Sequence, residues 1–261
     1  MPTSSISPLP PGSISIFSDL YHLGMAGYYT FRLALKQKAV QNTYGYCFHL
    51  EQVSFVDRRF RTWLHQNPAI AQALSQPVQF IDWEPDTEKL ASMPEGTLGR
   101  EYHKVALQYR TGELDYLRPL RLRTLPHEQR GLDRAPAETA RGEDLYKWLV
   151  ARRNIYMTTS HDLAHLVAGC DVSLEGEALV AMYQFWHLRV PQNYMNMWNA
   201  RLMLSATGNR DKVEHIRAAW KIVTEAANPL QVDWDALWPL PLGEARQRIG
   251  LPAKGMQLAA A

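Results

Sequence analysis

The chain has 261 residues, of which 46% are apolar and 21% are charged, and its formal net charge is +2. This composition is typical of a globular protein with one sizeable core and argues against disorder. The charge excess is too small to indicate a nucleic-acid partner, and no nucleic-acid-binding motif occurs, so we predict no such partner.

Cysteine usage and the N-terminal sequence predict a cytoplasmic protein. The two cysteines, Cys47 and Cys170, lie far apart in sequence, which is atypical of a disulfide framework and fits a reducing compartment. Residues 1–13 are rich in Pro and Ser, lack the basic start and apolar run of a signal peptide, and are predicted to form a flexible tail. No window holds 18 consecutive apolar residues, as a membrane-spanning helix requires, but contact with the inner face of a membrane stays open.

The first half of the chain predicts a series of helices. Apolar residues recur at helical spacing over residues 16–38. Residues 53–79 predict one or two helices, interrupted at Asn67-Pro68. Further on, Thr97 can cap a helix. Residues 124–137 are predicted to form a solvated surface loop, with a headgroup-binding patch as the alternative.

The second half is also helical in pattern, and strand signals are scarce throughout. The predicted features here are a helical stretch over 137–190 broken at 169–171 and at Pro191, a helix over 212–226, an N-cap at Asp233, and a last helix over 242–249 closed by Gly250 and Pro252. We therefore predict an all-α fold, with one helical domain over residues 14–252 and a frayed tail over 253–261.

Four residues form a candidate metal site. His161 and His165 are four positions apart, so on a helix they project from one face, with Asp162 on the flank of that face. Gly169 can end this helix, and Asp171 or Ser173 can cap a second one. A tight helical hairpin would then point Glu177 back at the histidines. We predict that these four residues bind one divalent ion between two packed helices; the set comprises His161, Asp162, His165 and Glu177.

Apolar side chains around this cluster predict core packing and an apolar groove. Aromatic and methionine residues follow the motif, and core packing is their default interpretation; together they can also line a groove for a long lipid. These residues are Met182, Tyr183, Phe185, Trp186, Tyr194, Met195, Met197 and Trp198. Among the other histidines, His187 is predicted to be a half-buried packing residue, His215 to be exposed, and His127 to lie in the surface loop.

The histidine cluster also has other interpretations. A His pair at this spacing often occurs by chance in helices. Phosphohydrolases with an HD pair need an upstream His and a downstream Asp as further ligands, and zinc proteases need Glu where this chain has Asp162. A closed four-ligand site would favour a structural metal, whereas an open position would favour catalysis. The sequence alone leaves the coordination number and the metal open, among Zn, Fe, Mn, Co and Mg.

The motif resembles that of a known family. His161-Asp162-x-x-His165, eleven further residues and then Glu177 is similar to the HDxxH-x11-E metal motif of the Coq-four family of ubiquinone (coenzyme Q) biosynthesis. Residues 90–102 resemble the family's Leu-Pro-x-Gly-Thr-x-Gly-x-x-Tyr segment, and the resemblance covers roughly residues 85–251. Downstream residues in the order that the family shows are Pro229, Leu230, Asp233, Trp234, Trp238, Pro241, Leu242, Arg246, Gly250 and Leu251.

The resemblance implies an all-helical protein that binds a metal ion, usually described as zinc, and prenylated aromatic lipids. It implies either an organiser of a biosynthetic complex with other quinone-biosynthesis proteins, or a metal-dependent decarboxylase that removes the C1 carboxylate of a prenylated 4-hydroxybenzoate-type ring, and we expect a homodimer. Eukaryotic members carry Arg residues shortly before the motif, where this chain reads Tyr156-Met157-Thr158-Thr159. This departure leaves open a different aromatic or prenyl substrate.

Overall fold

The computed structural model describes residues 16–34, 49–50, 53–110 and 141–256. These residues form twelve α-helices and one short 3-10 helix and contain no strand, which confirms the predicted all-α class. The predictions made for residues 1–13, for the loop 124–137 and for Cys47 lie outside the described ranges.

The helices are numbered in chain order. They are α1 (Ile16–Ala34), α2 (Ser54–Gln66), α3 (Pro68–Ser75), α4 (Thr87–Ala91), α5 (Leu98–Arg110), α6 (Gly142–Thr159), α7 (His161–Ala168), α8 (Leu174–Leu188), α9 (Pro191–Ala206), α10 (Arg210–Glu225), the 3-10 helix Pro229–Gln231, α11 (Trp234–Leu237) and α12 (Leu242–Arg248).

Contacts within the chain divide it into two compact units. The first comprises Met1–Pro77 and Asp115–Arg153, and the second comprises Val78–Leu114 and Asn154–Ala261. Helix α6 passes from the first unit into the second. The single domain expected over residues 14–252 stays a prediction.

In the first unit, a buried arginine is neutralised by two carboxylates. Arg61 is only 7% exposed. Its Nε lies 2.7 Å from Asp57 Oδ2, and its Nη1 lies 2.8 Å from Glu143 Oε2. The guanidinium also lies over the Tyr146 ring, 3.6 Å from the ring centroid. These contacts join α2 to the start of α6. Breaking them would leave a buried charge unpaired, which is strongly destabilising.

Helix α1 forms where the spacing predicted it, but its apolar residues are exposed. Phe17 is 85% exposed, Leu20 63% and Leu23 50%. Within the described residues, this face of the first unit is therefore an uncovered apolar surface.

In the second unit, the upstream and downstream segments that carry the family resemblance pack on each other. The amide of Leu98 donates to the Leu240 carbonyl at 2.8 Å, and the amide of Gly99 donates to the Trp238 carbonyl at 2.9 Å. A Cβ on Gly99 would lie 3.1 Å from that Trp238 oxygen and still closer to the Met93 side chain. Trp238 is 2% exposed and packs against Tyr102, with ring centroids 5.4 Å apart. A glycine at position 99 is thus required for this close approach.

Local signals placed most helix ends correctly. A helix ends at Gln66, and Pro68 begins the next; the Asp233 side chain accepts from the Ala236 amide and caps α11. The split between α6 and α7 at Ser160 was not predicted. There the Ser160 hydroxyl donates to the Tyr156 carbonyl at 2.6 Å, a back-bond that often bends a helix.

Two further findings concern the membrane and the C-terminus. Among the described helices, none is long and apolar enough to cross a bilayer. Residues 253–256, which the sequence assigned to a frayed tail, pack on α7: Met256 is 3% exposed, and its amide donates to the Ala168 carbonyl at 2.6 Å. Residues 257–261 lie outside the described ranges.

Candidate metal centre

The predicted helical face carries both histidines. His161 is the first residue of α7 and His165 follows one turn later, so their side chains lie together, with ring centroids 4.8 Å apart. The two Nε2 atoms are 3.2 Å from each other. The His165 side chain is 10% exposed and the His161 side chain is 36% exposed.

A tight turn returns the chain to this face. Gly169 ends α7 in the left-handed region, at φ 64° and ψ 41°, where glycine is favoured. Ser173 then caps α8, because its hydroxyl accepts from the Gly176 amide at 3.2 Å, so of the two predicted caps Ser173 is the one used. Gly176 faces the incoming loop at such short range that a Cβ there would lie 2.1 Å from the Asp171 carbonyl oxygen.

Glu177, in the first turn of α8, completes the cluster. Its Oε1 lies 3.4 Å from His165 Nε2, and its Oε2 lies 3.7 Å from His161 Nε2. Each of the three residues offers one ligand atom, and these atoms all lie within 4.8 Å of one another. Two nitrogens bonded to one tetrahedral zinc ion at about 2.0–2.1 Å would be roughly 3.3 Å apart. The spacing and the donor chemistry of His161, His165 and Glu177 therefore fit a small divalent cation.

Asp162, the fourth predicted ligand, is not in this group of three. It lies in the first turn of α7, where a carboxylate interacts favourably with the helix dipole, and its negative charge acts on His161. Its role as a ligand stays a prediction.

Both histidines are held through their other ring nitrogen. His165 Nδ1 lies 3.2 Å from the Cys170 carbonyl oxygen, and His161 Nδ1 lies 3.3 Å from Gln184 Oε1. Asn193 Nδ2 donates to the same Gln184 oxygen at 3.2 Å. Sequence reasoning missed Gln184 and Asn193. Gln184 lies two helical turns after Glu177 on α8, so the helical period was the signal that could have identified it as a residue of the ligand face.

The contacts within the cluster shift the pKa values of His161 and Glu177. Burial acts to lower the pKa of His161, but the hydrogen bond and charge of Glu177, together with the charge of Asp162, outweigh it and raise that pKa above its usual value. Burial acts to raise the pKa of Glu177, yet hydrogen bonds from His161 and His165 lower it to about 2. The cluster thus stabilises a positive charge at its centre, as a proton or a metal ion would supply.

The C-terminal end of α7 is fixed by an arginine that the family resemblance included. Arg246, on α12, donates from Nη2 to the Leu166 carbonyl at 2.8 Å and from Nε to the Val167 carbonyl at 3.2 Å. Its Nη1 donates to the Ala253 carbonyl at 3.0 Å. Arg246 therefore donates to carbonyls of the last turn of α7 and ties residue 253 to that helix.

The other histidines differ from one another in environment. His187 is a packing residue, as predicted, but it is buried rather than half-buried: it is 5% exposed, its ring lies 4.9 Å from that of Tyr183, and burial lowers its pKa to about 4. The expectation that His215 is exposed is wrong. Its side chain is 13% exposed, and its Nδ1 lies 2.7 Å from the buried carboxylate of Glu175. His127 lies outside the described residues.

The residues expected to line an apolar groove divide between core and surface. Met182 and Tyr183 are each 1% exposed and Met197 5%, so they belong to the core. On α9, by contrast, Tyr194 is 41% exposed and Trp198 50%. The groove as a whole therefore stays a prediction, and its exposed candidates lie on α9.

Residues 146–254, less than half of the chain, match the family model described as Coenzyme Q (ubiquinone) biosynthesis protein Coq4. The predicted resemblance is confirmed over this segment, which contains the candidate metal ligands His161, His165 and Glu177. A crystal structure of a protein from Nostoc punctiforme, provisionally assigned to ubiquinone biosynthesis, is similar with a TM-score of 0.59 and 18% identity, covering 91% of this chain and 99% of that chain. At that identity the likeness shows the fold alone. No curated protein matches the chain.

Proposed function

We propose that this protein, which matches the Coq4 family over residues 146–254, binds one divalent metal ion through His161, His165 and Glu177 and acts with it on a prenylated aromatic lipid of ubiquinone or related quinone biosynthesis. The observation that carries the proposal is the convergence of three ligand atoms within 4.8 Å of one another. The Nδ1 atoms of His161 and His165 face carbonyl oxygens, so their Nε2 atoms face the cluster as acceptors. Such a cluster of acceptors is costly to hold together without a cation at its centre.

The exposure of the three side chains gives the centre a closed side and an open side. His165, at 10%, forms the inner wall, whereas His161 and Glu177, at 36% and 45%, border the open side. Three protein ligands with an open side are typical of catalytic sites, because substrate oxygens can approach there. Zinc is the ion that the family resemblance implies; Fe, Mn, Co or Mg are alternatives that a mixed N/O ligand set leaves open.

The reaction proposed is removal of the ring C1 carboxylate. The bond between C1 and the carboxylate carbon breaks, carbon dioxide leaves, and the electron pair stays on C1, which then takes up a proton. In an oxidative form, the electron pair on C1 is transferred to dioxygen; one oxygen atom stays on C1 as a hydroxyl, and an external two-electron reductant, with protons from solvent, reduces the other oxygen atom to water. A bound divalent ion would supply a Lewis acid for the substrate's carboxylate or phenolic oxygens. The three ligand residues would orient that ion toward the open side.

The outer face of α9 supports the binding of a lipid tail. The inner face of this helix is buried through Met197, Ala200 and Leu204. Its outer face is nevertheless apolar and exposed, with Trp198 at 50% and Leu202 at 66%. A helix that is apolar on both faces needs a second apolar environment, which a polyprenyl chain would provide. The same helix carries Asn193, whose amide reaches the residue that holds His161.

The first prediction concerns this lipid. A prenylated 4-hydroxybenzoate should bind at least ~100-fold more tightly than 4-hydroxybenzoate itself, because each buried methylene contributes about 0.8 kcal/mol. The double variant Trp198→Asp, Leu202→Asp should remove most of that difference. Leu107→Asp, at a position on α5 that is 52% exposed, is the matched control and should change little. Calorimetric titration measures the affinity of each of the three proteins for both ligands, and equal affinities of the wild type for the two ligands would exclude the tail site.

The decisive experiment for the reaction follows loss of the carboxylate by mass spectrometry. Metal-loaded protein is incubated with the prenylated hydroxybenzoate, with and without oxygen, and turnover is expected for the wild type but not for Glu177→Ala. If lipid binds but no metal supports turnover, the protein is a lipid-binding scaffold of a biosynthetic complex. If Glu177→Ala turns over at the wild-type rate, the metal centre is not the active site.

The Coq4 match implies that this protein associates with other quinone-biosynthesis proteins. A homodimer and contact with a membrane surface are further proposals. The exposed apolar faces of α1 and α9 are the surfaces of the described residues that such contacts would use.

A further inference from the structure

Gln184 is the polar residue that holds His161 from behind. It lies on α8 and is 2% exposed. Its side-chain amide makes three contacts: Nε2 lies 3.1 Å from the Met157 carbonyl oxygen, and Oε1 lies 3.3 Å from His161 Nδ1 and 3.2 Å from Asn193 Nδ2. Asn193 is itself buried, at 3% exposure. Both polar atoms of the Gln184 amide therefore have hydrogen-bond partners.

These partners determine which end of the amide faces the histidine. The two ends of a glutamine amide are nearly indistinguishable by shape, so hydrogen-bond chemistry has to assign them. A backbone carbonyl can only accept, so the end that faces Met157 must be the NH2 group. The carbonyl end then faces His161. The Asn193 amide donates to that same oxygen and stabilises this orientation of the Gln184 amide.

The orientation of Gln184 in turn determines the tautomer of His161. Because Gln184 Oε1 can only accept, His161 must donate to it through Nδ1–H. A neutral imidazole carries one N–H, so its Nε2 then carries the lone pair. That Nε2 is the atom 3.2 Å from His165 Nε2 and 3.7 Å from Glu177 Oε2. The lone pair is thus directed into the cluster.

We propose that Gln184, oriented by the Met157 carbonyl and by Asn193, is a positioning residue that keeps His161 in the Nδ1–H tautomer with its Nε2 lone pair aimed at the metal position. The metal part of this inference rests on the proposed function, whereas the tautomer part does not. A hydrogen bond to the second ring nitrogen generally orients a histidine ligand, and its loss typically weakens metal binding.

His165 provides an internal control within the same cluster. Its Nδ1 lies 3.2 Å from the Cys170 carbonyl oxygen, a backbone group that side-chain substitution does not remove. A change at Gln184 should therefore alter the tautomer of His161 and leave that of His165 unchanged. A general loss of packing would disturb both rings.

The first test is nitrogen NMR of the histidine rings in metal-free protein, at a pH above the raised pKa of His161. In the wild type, both His161 and His165 should be protonated on Nδ1. Gln184→Met keeps the size of the side chain but lacks the acceptor, and it should shift His161 toward the Nε2–H form. Gln184→Glu keeps an acceptor oxygen and should retain the Nδ1–H form. An Nε2–H form of His161 in the wild type overturns the inference, and this result needs no variant to fold.

The second test is metal affinity, titrated with zinc. Gln184→Met should bind zinc about 10–100-fold more weakly than the wild type, with Gln184→Glu within a few-fold and Asn193→Leu in between. If Gln184→Met keeps both the tautomer and the wild-type affinity, Gln184 is not a positioning residue. If the wild type binds no metal while His161 is in the Nδ1–H form, the proposed function fails and the tautomer assignment stands.

Discussion

Replacing His165 or Glu177 with alanine is expected to abolish stoichiometric binding of a divalent metal ion. Each substitution removes one of three ligand atoms that lie within 4.8 Å of one another, and two remaining ligands do not form a tight site. Metal content per chain, measured on untagged protein, should fall from about one ion to near zero. His65→Ala, at an exposed position on α2, is the matched control and should keep its metal.

Thermal unfolding gives an independent measure of the same loss. A ligand at 100 times its dissociation constant stabilises the native state by about 2.7 kcal/mol, which is roughly 5–10 °C in melting temperature for a domain of this size. Added metal should therefore raise the melting temperature of the wild type and of His65→Ala, but not that of either ligand variant. Full metal content in both ligand variants would show that these residues are not the ligands. Asp162→Asn in the same assay decides whether the fourth predicted ligand takes part.

The parts of the fold that sequence predicted well are those encoded by local chemistry. A proline cannot donate a backbone hydrogen bond within a helix, so the boundary before Pro68 was visible in the sequence. An aspartate just before a helix can accept a hydrogen bond from a backbone amide of the first turn, so Asp233 was recognisable as a cap. In the structure it accepts from the Ala236 amide. The His161 and His165 pair followed in the same way from the helical period.

The parts that sequence missed depend on contacts between distant segments. Glu175 is paired with His215 across α8 and α10 at 2.7 Å, and no spacing on either helix encodes that pair. The same holds for Asn193, which lies beyond the break at Pro191 and still reaches Gln184. Amides are weak signals for a metal site because their role is to hold a ligand rather than to bind the ion.

A single methyl group at Gly176 is expected to weaken both metal binding and stability. Gly176→Ala would place a Cβ 2.1 Å from the Asp171 carbonyl oxygen and 2.7 Å from Asp171 Oδ1. The nearest obstacle is backbone, so the turn between α7 and α8 must move. Glu177 is the next residue, and its Oε1 now lies 3.4 Å from His165 Nε2. We therefore expect metal affinity to fall at least tenfold, about 1.4 kcal/mol, as measured by zinc titration.

Helix propensity alone would predict the wrong sign for the change in the free energy of unfolding of Gly176→Ala. Within a helix, Gly to Ala is favourable by about 1 kcal/mol, whereas overpacking typically costs 1–3 kcal/mol, and a contact with backbone at 2.1 Å belongs to the severe end of that range. A net loss in the free energy of unfolding is expected for metal-free Gly176→Ala. Gly243→Ala, in α12, is the matched control: its Cβ would meet nothing nearer than 3.4 Å, so propensity should dominate and stability should hold or rise. Denaturant unfolding of the two metal-free variants separates these effects. Equal stabilities, with zinc affinity unchanged in Gly176→Ala, would mean that the turn accommodates a side chain and that its tightness does not position Glu177.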